Sequence, residues 1–328
     1  MRPLVSVIIV TFNSERYLPH LFKSIKNQTW YEKCEVIVID NDSKDGTKKI
    51  VHNEHCSVIE NNDNAGFAKA NNQGIERVMG DYIFCLNHDV ILEEDYIENL
   101  VTFLEEHKKA GAVSGTVKKW DFANRKKTEK IDTLGFKMYK NHKVVDITEK
   151  PDGDLPSYDV FGVSAAVVMY RKSCLDTLRD ISGHYFDDDL VSYKEDVDIA
   201  YRILHAGYTS SIVRDAVAYH DRWETGSGQS SVKQKREARK SKPVFINQLS
   251  YRNHLIVLFK NEFWSNLLIY SVFILFFELQ KFVYFLLFEP KTVLGLGQFI
   301  KAIPLTRAKR RAIFNKTTIS KQDIRKWY

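Results

Sequence analysis

Short apolar runs that end in clusters of polar residues recur along the N-terminal part of this chain. Residues 5–10 form a β-branched run, and similar runs follow at residues 35–39, 57–59 and 81–86. Segments with helical character separate these runs from one another. Because strands that alternate with helices pair side by side, this order predicts an α/β fold with a doubly wound, mostly parallel sheet.

The polar clusters follow the predicted strands directly, at their carboxyl ends. They are Thr11 and Asn13, Asp40 and Asn41, Asn64 and Gly66, and Asn87 and Asp89. Ligands bind at the carboxyl ends of strands in such sheets, so the clusters predict an active site there. Asp and Asn also cap helices and punctuate loops, so the first two clusters have a structural interpretation beside nucleoside binding. The segment 87–89 is likewise either a turn or the anchor of a hard divalent cation.

Three carboxylates stand together at the predicted start of a helix, within the Lys-Glu-Asp-Val-Asp segment at residues 194–198. The helix dipole stabilises negative charge at that position, which is one explanation of the cluster. Carboxylates this close also raise one another's pKa, which suits a general base. His220 ends a later predicted strand, where it is either a structural residue or a metal ligand.

These segments occur in an order that resembles family-2 glycosyltransferases. The order is V-I-I-V-T-F-N at 7–13, V-I-D-N-D-S-K-D-G-T at 38–47, N-A-G-F-A-K-A-N-N-Q-G at 64–74, L-N-H-D at 86–89, E-D-V-D at 195–198, and His220. The resemblance covers residues 4–225 and points to the branch with bacterial rhamnosyltransferases of polysaccharide and cell-wall assembly. Each motif is weak alone, whereas the ordered set is specific.

The resemblance implies a GT-A fold and a role for each matching residue. The nucleoside pocket and the loop that closes over the nucleotide would comprise Thr11, Asn13, Asp40, Asn41, Asn64, Gly66, Phe67 and Asn71. Asp196 would be the general base with Glu195 as its neighbour, while Asp89 and His220 would hold Mg²⁺ or Mn²⁺. Asn87, counted among the donor-binding residues, stands where many members carry the first Asp of an Asp-x-Asp motif, which removes one charge from the metal site.

Composition divides the chain into three predicted parts. Residues 1–115 would bind the nucleotide sugar, residues 116–225 would bind the acceptor and carry the base, and residues 226–328 would form a helical, basic, membrane-associating region. Residues 118–157 are polar and irregular in pattern. Residues 233–242 have a net charge of +5 and residues 301–328 one of +8, whereas the net charge of the whole chain is +6. This distribution argues against a nucleic-acid partner and favours an anionic membrane surface.

The apolar segment 264–288 is long enough to cross a bilayer. Glu278 and Lys281 lie inside it on the polar half of a helical wheel, and basic residues flank both of its ends. These features favour a helix in the membrane interface over a span, with a homodimer interface as the alternative. We expect the basic cluster 307–311 to contact lipid headgroups, and donor hydrolysis to survive deletion of residues 226–328.

Four widely spaced cysteines and no visible secretory signal predict a protein at the cytoplasmic face of the cell membrane, peripheral or monotopic. The predicted reaction is inverting transfer of a sugar, with dTDP-rhamnose as a candidate donor, to a glycan or polyprenyl-diphosphate-linked acceptor in cell-surface polysaccharide assembly. Two other classes stay open. A nucleotidyltransferase would need a Gly-rich loop after the first strand, and residues 11–16 contain no glycine. A non-catalytic membrane scaffold would keep the fold without needing the carboxylates.

Overall fold

The computed structural model describes residues 2–151, 153–222, 237, 239 and 242–328 of the 328-residue chain. Most of the basic segment 233–242 therefore lies outside the described residues. The strands are β1 (Val5–Thr11), β2 (Cys34–Asp40), β3 (Ser57–Glu60), β4 (Tyr82–Asn87), β5 (Val90–Leu92), β6 (Ala110–Asp121), β7 (Lys126–Thr133), β8 (Phe136–Met138), β9 (Val144–Asp146), β10 (Ser157–Val160), β11 (Val167–Arg171) and β12 (Thr209–His220).

Helices of the described residues cover both faces of the sheet and form the C-terminal region. They are α1 (Leu18–Lys26), α2 (Thr47–His52), α3 (Phe67–Ile75), α4 (Tyr96–Glu106), α5 (Lys172–Thr177), α6 (Glu195–His205), α7 (Val244–Asn261), α8 (Trp264–Ile269), α9 (Ser271–Phe288), α10 (Leu294–Lys316) and α11 (Lys321–Arg325). Short 3₁₀ turns lie at Tyr31–Lys33, Asp188–Leu190 and Pro290–Val293.

One mixed sheet of the described chain has the order β10-β12-β6-β11-β4-β1-β2-β3, with β5 paired to β12 and β7 to β6. The strands β3, β2, β1 and β4 are parallel to one another, and β6 is parallel to β12. The strand β11 lies antiparallel between β4 and β6. The predicted α/β class with a helical C-terminal region is confirmed, and the longest parallel stretch is its N-terminal half.

The central strand β1 shows why helices cover both faces. Val5, Val7 and Ile9 pack in the same cluster as residues of α1 and α4, whereas Ile8 packs in the opposite cluster with residues of α3. Successive strand side chains point to opposite faces, and these four are at most 1% exposed. With both faces buried, the ends of the parallel strands are the natural place for a binding site.

Residues 118–157 contain more regular structure than their sequence predicts. They include the end of β6, the strands β7, β8 and β9, and the start of β10. The strand β7 is polar and mostly exposed, and Lys118 of β6 pairs with Glu129 of β7 at 2.6 Å. A strand with little buried surface shows weak apolar alternation, which explains why the pattern does not reveal it.

The C-terminal helices share a hydrophobic cluster with the rest of the protein. Leu204 of α6 lies in it together with Ile256 and Val257 of α7, Ile324 of α11 and Phe136 of β8. Residues after 242 are therefore packed on the α/β part rather than appended to it. The predicted divisions at residues 115 and 225 stay predictions.

The apolar segment 264–288 forms two helices, α8 and α9, which meet at Tyr270. One helix of the described residues, α9, is long and apolar enough by length and composition alone to cross a membrane, and only 11% of it is buried. Glu278 of α9 lies 2.8 Å from His254 of α7 and 3.0 Å from Lys281. The charged residues of α9 therefore face the protein, and most of its apolar side chains face outward.

Candidate active site

A cavity of about 470 Å³ opens where β4 ends and α6 begins. The sheet register places Thr11 beside Asp40, and Val10 beside Asn87, at this end of the strands. The lining residues are Phe67, Asn87, Phe136, Val144, Val145, Asp146, Ser192, Tyr193, Lys194, Glu195, Asp196, Val197 and Arg222. Four of the predicted site residues, Phe67, Asn87, Glu195 and Asp196, therefore meet at one cavity.

Glu195 and Asp196 form the first turn of α6 and lie on the cavity wall. Burial, together with the negative charge of Asp196, raises the pKa of Glu195 to about 8. Burial also raises the pKa of Asp196, whose Oδ1 accepts a hydrogen bond from the Val197 amide at 2.8 Å. Glu195 Oε2 is buried without a hydrogen-bond partner. A carboxylate whose pKa is raised is a stronger general base toward a hydroxyl group.

The third carboxylate of the cluster, Asp198, points away from the cavity and is fully buried. It contacts Arg202 Nε at 2.9 Å, Lys260 Nζ at 2.8 Å and Asn261 Nδ2 at 2.8 Å. Burial alone would raise its pKa, but the positive charges of Lys260 and Arg202 outweigh burial and lower it. Asp198 is therefore a structural anion and not a second base.

The loop that leads into α6, residues 187–194, has a strained backbone. Val191, Tyr193 and Lys194 have φ angles of 62°, 71° and 74°. A left-handed conformation is uncommon for a residue other than glycine and is an outlier for β-branched valine. Each such residue costs about 1–3 kcal/mol, so the conformation persists only where neighbouring groups hold it.

His220 lies between two carboxylates at the end of β12. Its Nε2 is 3.3 Å from Asp89 Oδ1, and its Nδ1 is 3.0 Å from Asp132 Oδ2. Burial lowers the pKa of His220, but the two carboxylates outweigh burial and raise it to about 9. Asp89 Oδ1 is buried without a hydrogen-bond partner. The structure thus brings together Asp89 and His220, the two predicted metal ligands.

The Asp40 carboxylate is satisfied inside the protein. Its Oδ1 accepts hydrogen bonds from Thr11 Oγ1 at 2.9 Å and Ser43 Oγ at 2.5 Å, and its Oδ2 accepts one from the Ser43 amide at 2.9 Å. Asp40 is 1% exposed and Thr11 is fully buried. Both residues brace the ends of β1 and β2, and neither lines the cavity.

Two predicted nucleoside residues hold neighbouring loops. Asn13 Oδ1 accepts a hydrogen bond from the Lys44 amide at 2.8 Å, and Asn13 itself is exposed. Asn41 Oδ1 accepts one from Asn61 Nδ2 at 2.8 Å and is almost fully buried. The donor-binding roles of both residues stay predictions.

The segment 64–71 joins the strained loop to the rest of the predicted nucleotide site. Asn64 Oδ1 accepts a hydrogen bond from the Gly66 amide at 3.0 Å, and Asn71 Nδ2 donates one to the Phe67 carbonyl at 2.9 Å. Gly66 has a φ of +83°, and a Cβ there would lie 2.8 Å from Val191 Cγ1 and from the Val191 carbonyl oxygen. Because Gly66 has no side chain, the loop before α6 can pack directly against its backbone.

Several residues near the site received no role from the sequence, although Asn72 lies inside the motif at residues 64–74. Asp132 supports His220, and Asp146 pairs with Arg222 at 2.7 Å, yet both acids come from a segment without visible periodicity. Asn72 is buried, and its Oδ1 accepts from the amides of residues 185 and 186 at 3.2 and 2.9 Å. For Arg222, the signal in the sequence is its position two residues after His220.

The sequence profile described as "Glycosyl transferase family 2" matches residues 6–178, more than half of the chain. The chain belongs to this family. Its matched region includes the ends of β1, β2 and β4, whereas Glu195, Asp196 and His220 lie beyond it.

Curated relatives match parts of the chain. An uncharacterized glycosyltransferase of Haemophilus influenzae is 38% identical over 112 residues, 32% of this chain and 34% of the relative. Glycosyltransferase GlyG of Streptococcus pneumoniae is 24% identical over 199 residues, 59% of this chain and 65% of the relative. The putative teichuronic acid biosynthesis glycosyltransferase TuaG of Bacillus subtilis is 31% identical over 119 residues, 35% and 47% of the two chains. The chain thus spans less than two-thirds of these relatives.

Solved structures share the architecture. S. aureus TarS 1-349 in complex with UDP has a TM-score of 0.56 at 17% identity, covering 98% of this chain and 91% of that chain. GalNAc-T7 with UDP, GalNAc and Mn²⁺ has a TM-score of 0.60 at 16% identity, covering 78% and 47%. These likenesses confirm the predicted GT-A fold.

Proposed function

We propose that this chain is an inverting glycosyltransferase that moves a sugar from a nucleoside-diphosphate donor to a glycan or polyprenyl-diphosphate-linked acceptor in cell-surface polysaccharide assembly. The observation that carries the proposal is the carboxylate pair Glu195 and Asp196 on the wall of the cavity at the strand ends. Among the relatives are TuaG and a poly-beta-1,6-N-acetyl-D-glucosamine synthase of S. aureus, whose names point to such polymers. dTDP-rhamnose remains the candidate donor from the sequence motifs.

Asp196 is the proposed general base. Its carboxylate takes the proton of an acceptor hydroxyl as that oxygen attacks the anomeric carbon, opposite the bond to the diphosphate. The new glycosidic bond forms as the bond to the diphosphate breaks, so the anomeric configuration inverts. The neighbouring Glu195 favours a state in which only one of the two groups is ionised, because two adjacent carboxyl groups do not both ionise readily.

The residues at the end of β4 fit a hard divalent cation. Asp89 Oδ1 and His220 Nε2 lie 3.3 Å apart, and Asp132 engages Nδ1, so a cation that displaces the Nε2 proton would be held by both side chains. No cluster of three His, Cys, Asp or Glu side chains suited to a metal ion occurs in the described part of the chain. We propose that Asp89 and His220 hold Mg²⁺ or Mn²⁺ together with donor phosphates. Such a cation neutralises charge on the leaving diphosphate.

The exposed face of α8 and α9 supports a location at the cytoplasmic surface of the membrane. The outward apolar side chains with the largest exposed fractions are Leu268 (76%), Val272 (75%), Leu275 (68%), Leu287 (66%) and Phe276 (63%). Within α9, Leu275 and Phe276 follow Val272 by three and four residues, and Leu287 follows Phe276 by eleven residues, about three turns, so these four lie along one side. An apolar patch of this extent marks a membrane or protein interface. A membrane-bound enzyme meets a lipid-linked acceptor directly, and a homodimer through this face is the alternative.

Replacing Asp196 tests the proposed reaction. The full chain is screened for thermal stabilisation by dTDP-rhamnose, UDP-N-acetylglucosamine and GDP-mannose, because a bound donor raises stability by mass action. With the stabilising donor, Asp196→Asn lowers kcat by about 10²-fold or more and leaves the donor KM nearly unchanged. The exposed Asp154 serves as the control through Asp154→Asn. Near-normal turnover of Asp196→Asn would contradict the assignment, and no nucleotide release from any donor would favour a scaffold.

A further inference from the structure

The strained loop 187–194 lies between the donor segment and the catalytic carboxylates. Ser192 Oγ is 3.4 Å from the Phe67 amide, and the Val191 carbonyl accepts a hydrogen bond from the Ala68 amide at 3.2 Å. The loop ends at Lys194, directly before Glu195. Its conformation therefore sets where α6 begins relative to the cavity.

One buried side chain of the C-terminal region holds the loop by its backbone. Asn253 of α7 is fully buried, and its Nδ2 lies within hydrogen-bond distance of three carbonyl oxygens, at 2.7 Å from Leu190, 2.9 Å from Ser192 and 2.8 Å from Tyr193. The neighbouring Arg252 donates to the carbonyl of Asp189. These partners lie among the left-handed residues, where the backbone has no helix or strand to satisfy it.

Two lysines of the same region fix the start of the loop. Lys260 of α7 donates to Asp187 and lies 2.8 Å from Asp198 of α6. Lys309 of α10 also donates to Asp187 and lies 2.6 Å from Asp189. Asp187 and both lysines are buried, so each charge depends on the others. The C-terminal helices thus contact the loop both near its start, through the two lysines, and near its end, through Asn253.

We propose that Asn253 is a positioning residue that sets the geometry of Glu195 and Asp196. The proposal rests on the proposed base role of Asp196. Without the Asn253 amide, the carbonyls of Leu190, Ser192 and Tyr193 lose the N–H group that ties them to α7, and the left-handed residues lose this external support. The loop then relaxes, and the first turn of α6 moves relative to the cavity. A base displaced by about 1 Å loses catalysis while the donor pocket stays formed.

The test compares two isosteric substitutions in the full chain. Asn253→Leu removes the donor and keeps the volume. The matched control is Asn266→Leu, because Asn266 is also fully buried and donates to Glu262 at 2.8 Å and to the Lys321 carbonyl at 3.1 Å, away from the loop. Amide hydrogen exchange is measured for residues 188–198, and nucleotide release is measured with dTDP-rhamnose, UDP-N-acetylglucosamine and GDP-mannose.

We expect Asn253→Leu to speed exchange in residues 188–198 and to lower kcat at least tenfold, with donor KM changed less than threefold. Asn266→Leu should leave both quantities within twofold at temperatures where each variant is folded. Equal effects of the two substitutions, or unchanged exchange in Asn253→Leu, would overturn the proposal. If Asn253→Leu does not fold, Asn253→Ser tests the proposal instead. Its hydroxyl keeps a single donor, so its kcat should be lower than that of the wild type but above the tenfold loss expected for Asn253→Leu. Failure of the wild type on all three donors would count against the proposed function, whereas the exchange comparison still tests Asn253.

Discussion

At the residue scale, the protonation of Glu195 makes the stability of the protein depend on pH. Its pKa is raised to about 8 by burial and by Asp196. From the ordinary carboxyl pKa up to about pH 8, the folded protein binds more protons at this site than the unfolded chain does. Stability therefore falls as the pH rises through that range, by at most about 1.4 kcal/mol per pH unit.

Glu195→Gln removes this titration and should be stabilising at high pH. We expect its free energy of unfolding to exceed that of the wild type by more at pH 8 than at pH 5, because glutamine resembles the protonated acid. Urea denaturation at the two pH values measures the difference. An advantage that is the same at both pH values would show that Glu195 titrates normally.

Gly66 offers a second prediction at this scale, with Gly183 as its control. Both have left-handed backbones, at φ +83° and +82°, but nothing lies within 4 Å of a Cβ at Gly183. Gly183→Ala should cost about 1–2 kcal/mol from backbone strain alone. Gly66→Ala should cost about 1–3 kcal/mol more and lower kcat, because its methyl group displaces Val191. Urea denaturation and nucleotide release measure the two effects, and equal costs would contradict the contact.

The sequence motifs predicted the residues that gather at the cavity, Phe67, Asn87, Glu195 and Asp196, because each directly follows or begins a regular element. They do not contain Asp132, and they contain Asn72 without indicating its role; the contacts of these two residues span 88 and 113 or more residues. A single sequence carries no record of such distant pairs. Side chains that hold other protein groups, as Asp40 does, also look the same in sequence as side chains that bind ligand.

At the scale of single elements, α9 keeps its charges toward the protein and its apolar side toward the outside. Replacing the exposed Val272, Leu275 and Leu279 with serine should weaken binding to anionic vesicles by about tenfold or more, since each loses apolar surface that the lipid would bury. Thermal stability should not change. Ile274, which is 8% exposed, provides the control, because Ile274→Ser should unfold the protein more readily.

Vesicle flotation measures this effect, and analytical ultracentrifugation separates it from dimer formation. If the wild type is a dimer that does not bind anionic vesicles, and the triple variant is a monomer, the exposed face of α9 is a subunit interface. The membrane proposal would then be wrong.

The basic residues of α10 divide into two kinds, which corrects the expectation that the whole cluster 307–311 meets headgroups. Lys309 is buried against Asp187 and Asp189, and Arg310 donates to the Phe259 carbonyl at 2.8 Å. Arg307 and Arg311 are exposed. A buried lysine that neutralises two carboxylates cannot also neutralise lipid.

Separate substitutions should therefore have separate effects. Arg307→Gln with Arg311→Gln should weaken vesicle binding by roughly 2 kcal/mol at low salt, and less at high salt, with stability unchanged. Lys309→Gln should destabilise the fold by about 3–5 kcal/mol, because it removes one of the two lysines that neutralise the buried Asp187 carboxylate. Flotation at two salt concentrations and urea denaturation distinguish the two outcomes. A loss of vesicle binding in Lys309→Gln without a loss of stability would contradict the burial of Lys309.

At the scale of the whole molecule, the structure revises the expectation that residues 226–328 are dispensable for donor hydrolysis. Asn253, Lys260 and Lys309 all contact the loop before α6 or α6 itself. A chain ending at residue 225 should therefore be unstable and release no nucleotide. Circular dichroism and nucleotide release on the truncated protein test this, and full hydrolysis by a folded fragment would contradict the packing described here.

The contacts of the C-terminal helices with the loop 187–194 also have a consequence for the order of events during synthesis. Asn253 and Lys309 follow Asp196 by 57 and 113 residues. At about 5–20 residues per second, the ribosome makes the carboxylates roughly 6–20 seconds before the last group that holds them. A nascent chain therefore carries Glu195 and Asp196 before the side chains that hold the loop beside them. If Asp196 is the base, as proposed, turnover of the donor should begin only after these C-terminal helices have been made.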